Sequence, residues 1–281
     1  LNDEDIKRIS EKINQADAVI VTAANGFSIS EGLNLFANDE SFKGNFGDFQ
    51  AKYGIQNIFQ GMTSLYADLV DEWKFNSRMI EKYVIQYSGS PLMSGLKRIL
   101  NQKNYFIITS NTEHHFHLAG FDPNKIFELE GNFAQMHCMT EKNPKFFSTI
   151  ELAKAFEKDD IAGVSNEDLL PKCENDGSPM RLNISSEPSF IPNTSIRNHL
   201  TDFINENANK KMLVLEMGIG PRNQMIKGPM MSLVEQLPEM TYVSINKGEL
   251  NIPDDIKSKS FGIDGDLTEA INKIATTMGE L

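Results

Sequence analysis

An amide and two acids, set at the ends of apolar runs, carry much of the chemistry this chain offers. Tyr105-Phe106-Ile107-Ile108-Thr109 leads into Ser110-Asn111-Thr112-Glu113, and Lys125 to Leu129 leads into Glu130-Gly131. Asn111 and Glu113 are suited to hydrogen-bond a ribose or a carboxamide. An acid before a glycine, such as Glu130, is a solvated turn residue, a general base or a stabiliser of an oxocarbenium-like centre. A third run, Ala18-Val19-Ile20-Val21, passes through Thr22-Ala23-Ala24-Asn25-Gly26-Phe27-Ser28 towards Gly32. Its small residues let a ligand approach the backbone, and the helix start that follows favours negative charge. That order suits a dinucleotide pyrophosphate, although such turns recur wherever a strand meets a helix. Glu216-Met217-Gly218-Ile219-Gly220 is a second close approach, and Ser244-Ile245-Asn246-Lys247 and Asp264-Gly265-Asp266-Leu267 end two further runs. Several strand ends with small or polar residues weigh more than any one of them. His114, His115 and His117 invite a metal reading, but no carboxylate or cysteine completes a recognisable ligand spacing. Packed or surface histidines, and no metal, are expected there.

The elements that must position these groups follow from periodicity. Ile6, Ile9 and Ile13 fall at helical spacing over residues 3 to 16, ahead of the first strand. Residues 35 to 62 resist a regular pattern and suggest short helices and loops carrying Phe36, Phe42, Phe46, Phe49, Tyr53 and Phe59. Residues 64 to 87 and 91 to 101 read as helices, the second opened by Pro91. From about 130 to 193, Asp159-Asp160, Asn175-Asp176-Gly177 and Pro188 interrupt any long pattern, which suggests an inserted small module. Alternation then resumes. A helix over 194–207, a strand over 211–217, a helix over 229–236, strands over 242–245 and 259–263 and a helix over 267–278 are expected. The fold class is therefore α/β, a Rossmann-like doubly wound parallel sheet with a smaller inserted module. Residues 1–130 and 194–281 form the large domain, with a helical insertion at about 37–90, and 131–193 form the module.

The 281 residues carry a net charge of −12, which argues against nucleic acid and against anionic membrane surfaces. No run approaches the roughly 20 apolar residues of a membrane span. The opening Leu1-Asn2-Asp3-Glu4-Asp5 lacks a basic leader, and Cys138 and Cys173 imply no disulfide framework. A cytoplasmic protein is expected.

Read together, these blocks resemble the sirtuin (Sir2) family over essentially the whole chain. Thr22 to Phe36 resembles the sirtuin nucleotide-binding signature, with Gly26, Ser28, Gly32 and Phe36 in register. Thr109 to Gly120 is similar to the Thr-Gln-Asn-x-Asp block that ends in Ala-Gly. Glu130-Gly131 sits where sirtuins carry the His-Gly of the catalytic base, and Leu215 to Gly220, Ile245-Asn246 and Gly265-Asp266 follow in the family's order. Phe49 to Ile55, Phe116 to Asp122 and Met225 to Pro229 resemble the macrodomain-linked class M, whose members are described as protein ADP-ribosyltransferases acting on a lipoyl-carrier protein of the glycine-cleavage H type.

The resemblance implies NAD as ligand, a protein acceptor and a macrodomain hydrolase as functional partner. It implies catalytic roles for Asn111, Glu113 and Glu130. It implies cofactor contacts at Ala23, Ala24, Gly26, Ser28, Phe36, Ser110, Gly218, Ile219, Asn246, Lys247 and Asp266. Three departures stand out. Glu130 replaces the histidine, where class M relatives tend to have Gln; an unperturbed Glu is ionised at pH 7. Cys138 and Cys173 are all that is left of two zinc-binding cysteine pairs, which implies a degenerate, zinc-free ribbon. Ala23 and Asn25 alter the usual Gly-Ala-Gly turn. A lysine deacylase and a degenerate sensor of NAD or ADP-ribose are the alternative readings.

Overall fold

The computed structural model describes residues 1–281. The chain runs α1 (Asp3–Gln15), β1 (Ala18–Ala23), α2 (Asn25–Ser30), α3 (Glu40–Tyr53), α4 (Ile58–Thr63), α5 (Leu69–Ile80) with a π turn over Glu81–Ile85, and α6 (Pro91–Leu100). It continues with β2 (Asn104–Thr109), α7 (His115–Leu118), β3 (Ile126–Glu128), β4 (Gly131–Cys138), β5 (Phe147–Ser148), α8 (Ile150–Ala162) and β6 (Met180–Ile184). It closes with α9 (Thr194–Asn207), β7 (Met212–Met217), α10 (Gln224–Gln236), β8 (Thr241–Asn246), β9 (Ser260–Asp264) and α11 (Leu267–Glu280).

Six strands form one parallel sheet in the order β3-β2-β1-β7-β8-β9. Every residue of β1 and β7 is buried, as expected of parallel strands covered on both faces. On one face Ile6, Ile9 and Ile13 of α1 join apolar residues of α6 and α11. Each such isoleucine contributes about 1.5–3 kcal/mol of burial. Asn2 caps α1 by accepting from the Glu4 N–H at 2.9 Å, and Asp3, Glu4 and Asp5 suit the positive end of its dipole. On the other face α9 and α10 cover Ile20, Phe106 and Val214.

The order reverses between β1 and β7, the switch point at which such sheets bind ligands. Ala23 pairs with both Thr109 and Met217, Thr109 with Glu128, and Met217 with Ile245. One line of register thus brings the ends of five strands to a common edge.

Within 131–193 lies a three-stranded antiparallel sheet, β5-β4-β6, together with α8. Its apolar face does not form a separate core. Phe133, Phe156, Leu182 and Ile184 pack with Phe42, Phe46, Trp73, Phe75 and Met79 of the helical insertion. The Phe46 and Phe75 rings lie 4.5 Å apart. The two insertions are one packed unit.

The irregular 35–62 region holds short helices and loops, as expected: α3, capped by Asp39 and ended by Gly54 in the left-handed region at φ 69°, is two short helices joined at a kink at Phe46, and α4 has six residues. Three local expectations need correction. The helix expected from 64 starts only at Leu69, because Asp68 caps it by accepting from the Val70 N–H. α10 starts five residues before Pro229, which lies inside it. Finally, Cys138 and Cys173 are joined as a disulfide that ties β4 to the turn before β6.

Candidate active site

The cleft begins where the backbones of two strand ends cross. The Gly26 N–H donates to the Gly218 carbonyl at 2.9 Å. A Cβ on Gly26 would come within 2.6 Å of the Gly218 Cα, and Gly218 itself has φ +64°. Both positions therefore demand glycine. The Gly218 N–H in turn donates to the Ile245 carbonyl at 2.9 Å, which ties the crossing to β8.

Below this crossing Glu216 is almost fully buried and paired with Lys227 of α10 at 2.6 Å. Ser244 Oγ donates to the same carboxylate at 2.8 Å and the Tyr242 hydroxyl to its other oxygen. Burial, and then the neighbouring carboxylate, push the Tyr242 hydroxyl far above its ordinary pKa, so it remains a donor. The network locks α10 to β7 and β8 under the glycines.

On the β2 side, Thr109 Oγ1 donates to the Ala23 carbonyl at 2.9 Å and accepts from the Asn111 N–H at 3.0 Å. The Asn111 amide donates to the Ala24 carbonyl at 2.9 Å. Asn111 is therefore fixed by both backbone and side chain. Across the cleft, the Glu130 carbonyl accepts from the Ser185 N–H at 3.0 Å, which docks the β3–β4 turn on the end of β6. Burial raises the pKa of the Glu130 carboxyl, and a hydrogen bond from Ser185 partly offsets this.

These groups surround a cavity of about 750 Å³, well sized for a small-molecule or cofactor ligand. Its floor is Ala24, Asn25, Gly26, Ser110, Asn111 and Thr112, and its far wall Gly218, Gly220, Arg222, Asn223 and Asn246. Glu130 enters from the β3–β4 turn, Ile184, Ser185 and Ser186 from the small module, and Leu35, Phe36, Phe59 and Met62 from the helical insertion and the loop before it. Arg222 is the only cationic residue of the lining, and no histidine belongs to it. Asn25 Oδ1 is buried without a hydrogen-bond partner, which leaves an acceptor free at the floor.

Eight of the residues expected from sequence therefore line one cleft: Ala24, Gly26, Phe36, Ser110, Asn111, Glu130, Gly218 and Asn246. Others support it from behind. Ala23 is wholly buried within β1 and Ile219 within the core under α10. Ser28 Oγ donates to Glu113 Oε1 at 2.8 Å, and both residues are buried. Desolvation raises the Glu113 pKa, against the lowering influence of His115 and of the Ser28 hydrogen bond. Beside this pair, Glu31 accepts from Tyr87 at 2.7 Å and Ser90 at 2.6 Å and meets His115 Nδ1 at 2.7 Å. Burial opposes charge on His115, but the Glu31 hydrogen bond and the Glu113 and Glu31 charges raise its pKa overall.

Two residues lie elsewhere. Lys247 is exposed in the turn after β8, and Asp266 caps α11 by accepting from the Glu269 N–H at 2.8 Å. Sequence reasoning missed Thr112, Arg222, Asn223, Ser185 and Ser186 and took Asn25 only as a departure from the usual turn. Asn25 and Thr112 adjoin recognised residues and were within reach. Ser185 and Ser186 carry no local signal, because only the packing of the module brings them to the cleft.

No protein-family profile matches the chain. It is 26% identical over 271 residues to a protein ADP-ribosyltransferase of Staphylococcus aureus, covering 94% of this chain and 84% of that protein. Among solved structures it is similar to a Sir2 homologue in complex with NAD (TM-score 0.68, 13% identity, 98% of this chain and 94% of the other). A Sir2 mutant bound to a p53 peptide and NAD gives a TM-score of 0.63 at 19% identity, over 98% and 99% of the two chains. A Sir2 homologue mutant complexed with ADP-ribose gives 0.67 at 14% identity, over 97% and 96%.

Proposed function

We propose that this chain, a Sir2 homologue by fold, is an NAD-dependent protein ADP-ribosyltransferase. The observation that carries the reading is the cleft itself: a glycine crossing made for close approach on one side, and a partly desolvated acid, Glu130, in place of any histidine on the other. The cavity fits a dinucleotide in size and in donors. Backbone around Gly26 and Gly218 suits the pyrophosphate, with Arg222 the one cation of the lining. Asn111 suits the ribose and carboxamide, with Ser28 and Glu113 holding the turn from behind.

In the proposed reaction the bond between ribose C1′ and the nicotinamide nitrogen breaks, and its electron pair leaves with nicotinamide. Positive charge develops at C1′, and the Glu130 carboxylate stabilises it electrostatically. An acceptor side chain then bonds to C1′ and gives up its proton, for which Glu130, with its raised pKa, is a competent base. The name of the Staphylococcus aureus relative supports transfer over deacylation. The resemblance to class M supports a lipoyl-carrier acceptor and a macrodomain hydrolase partner. We place the small module without zinc: Cys138 and Cys173 bond to each other, and two sulfurs do not make a tetrahedral site.

The test is labelled NAD incubated with a lipoyl-carrier protein. Label should pass to the carrier, and Glu130→Ala should slow transfer by about 10²–10³-fold, the range for loss of one transition-state electrostatic contact. Absence of transfer to any protein, with the Ala form releasing nicotinamide like the parent, removes the reading.

A further inference from the structure

Of the three crowded histidines, only His115 belongs to the network behind the cleft. His114, just before α7, and His117, within it, stack their rings with centroids 4.1 Å apart and planes 14° apart. His114 has φ +66°, a left-handed conformation uncommon for a residue with a side chain. That turn sets its ring beside the ring three residues on. Glu128, the last residue of β3, reaches both: its Oε2 is 2.9 Å from His114 Nδ1 and its Oε1 is 3.4 Å from His117 Nδ1. The latter approach lacks hydrogen-bond geometry, and His117 Nδ1 is buried with no hydrogen-bond partner. All three ligand atoms lie within 4.8 Å of one another. The missing carboxylate comes from 11 residues downstream in the chain, brought in by the β2–β3 pairing.

We propose that His114, His117 and Glu128 bind one divalent transition metal, zinc being the ion this donor set fits. Two imidazoles and a carboxylate are a three-ligand zinc set that leaves a fourth position for water. The group opens on its own cavity of about 350 Å³, whose wall includes Asn124, Asn132 and Asn183. Asn132 Nδ2 donates to Glu128 Oε1 at 3.1 Å and orients the carboxylate, as outer-shell groups of metal sites do. A plain ion pair accounts for the cluster less well. Glu128 makes hydrogen bonds to one ring only, while the second ring is stacked against the first with its facing nitrogen unused. A shared cation employs both nitrogens and the carboxylate together. Glu128 stands two residues before Glu130, so the ion would brace the strand end that carries the cleft acid. The site stands independently of the reading of the cleft.

The test is metal binding by the intact, chelator-treated protein. Calorimetry with zinc should give one ion per chain, and cobalt should produce the visible absorption of a four-coordinate nitrogen and oxygen site. His117→Ala and the near-isosteric Glu128→Gln should each weaken zinc at least ~10-fold, and zinc should raise the melting temperature of the parent but not of either variant. Replacing Cys138 and Cys173 together with serine should leave zinc affinity unchanged. The proposal is overturned if the parent binds no stoichiometric zinc at micromolar concentration. It is equally overturned if Glu128→Gln keeps full affinity, or if affinity is lost only with the cysteines. The cobalt spectrum of the parent requires no variant to fold.

Discussion

The two sides of the cleft are built on different principles. The sheet edge is built on backbone: the strand register and the crossing of Gly26 and Gly218 place N–H and carbonyl groups, and the crossing itself has no room for a side chain. The module side works through side chains and loops: Glu130 comes from the β3–β4 turn, Ser185 and Ser186 from the small module, and Phe36 from the loop into the helical insertion, and the two insertions share a core. A backbone cradle tolerates little change, because its shape is its function. A wall delivered by turns and insertions can exchange one side chain for another without disturbing the sheet. Under the proposed reading Glu130 is such an exchange, an acid at the position to which the sequence resemblance assigns a histidine.

The division is sharpest under the cradle, where a buried charge pair supports backbone geometry. Lys227→Met should leave the Glu216 carboxylate buried and unpaired, at a cost of about 3–5 kcal/mol in unfolding free energy. Urea unfolding measures it. A loss no larger than that of a surface lysine would mean that Ser244 and Tyr242 alone satisfy the acid, and that the cradle does not depend on α10.

Gly26→Ala comes next. Its Cβ would sit 2.6 Å from the Gly218 Cα, backbone with no rotamer to yield. The strain should cost about 1–3 kcal/mol and separate the crossing, so NAD affinity should fall more than stability. Calorimetry beside a melting curve reads both. Unchanged affinity would place the dinucleotide elsewhere than at the glycine crossing.

The same contrast explains what the sequence made legible. β1, β2 and β7 are apolar runs buried along nearly their whole length, and parallel pairing leaves their ends in one plane, so Gly26, Asn111 and Gly218 could be brought together from chain order alone. The face on which a side chain emerges is not visible in that way. Ser28 and Glu113 bond to each other behind the wall, and Asp266 is spent on a helix cap. Ser185 and the meeting of Glu128 with His114 and His117 are tertiary facts, since they depend on how the small sheet and β3 are docked. Gly44 and Gly47 blur the periodicity of α3, whose two halves are held helical by Asp39, Gly54 and packing rather than propensity.

The smallest expected effect concerns pH and belongs to the module side. Burial raises the Glu130 pKa, so its carboxylate form, the one the proposed reaction uses, is lost as pH falls through a value above 4.5. The acid limb of kcat/KM should therefore lie at higher pH than that of an ordinary carboxylate, and should disappear in Glu130→Gln. Stability should run the other way. With its folded pKa above the unfolded one, the native state holds more protons across that interval, so rising pH through it lowers stability. Glu130→Gln should thus be slightly more stable than the parent at neutral pH, with the difference vanishing below the ordinary carboxylate range. Melting curves across pH check the sign. A Gln form less stable than the parent at pH 7 would mean that the carboxylate holds the module in place, and the chemistry of that wall would then be inseparable from its architecture, as it is in the cradle.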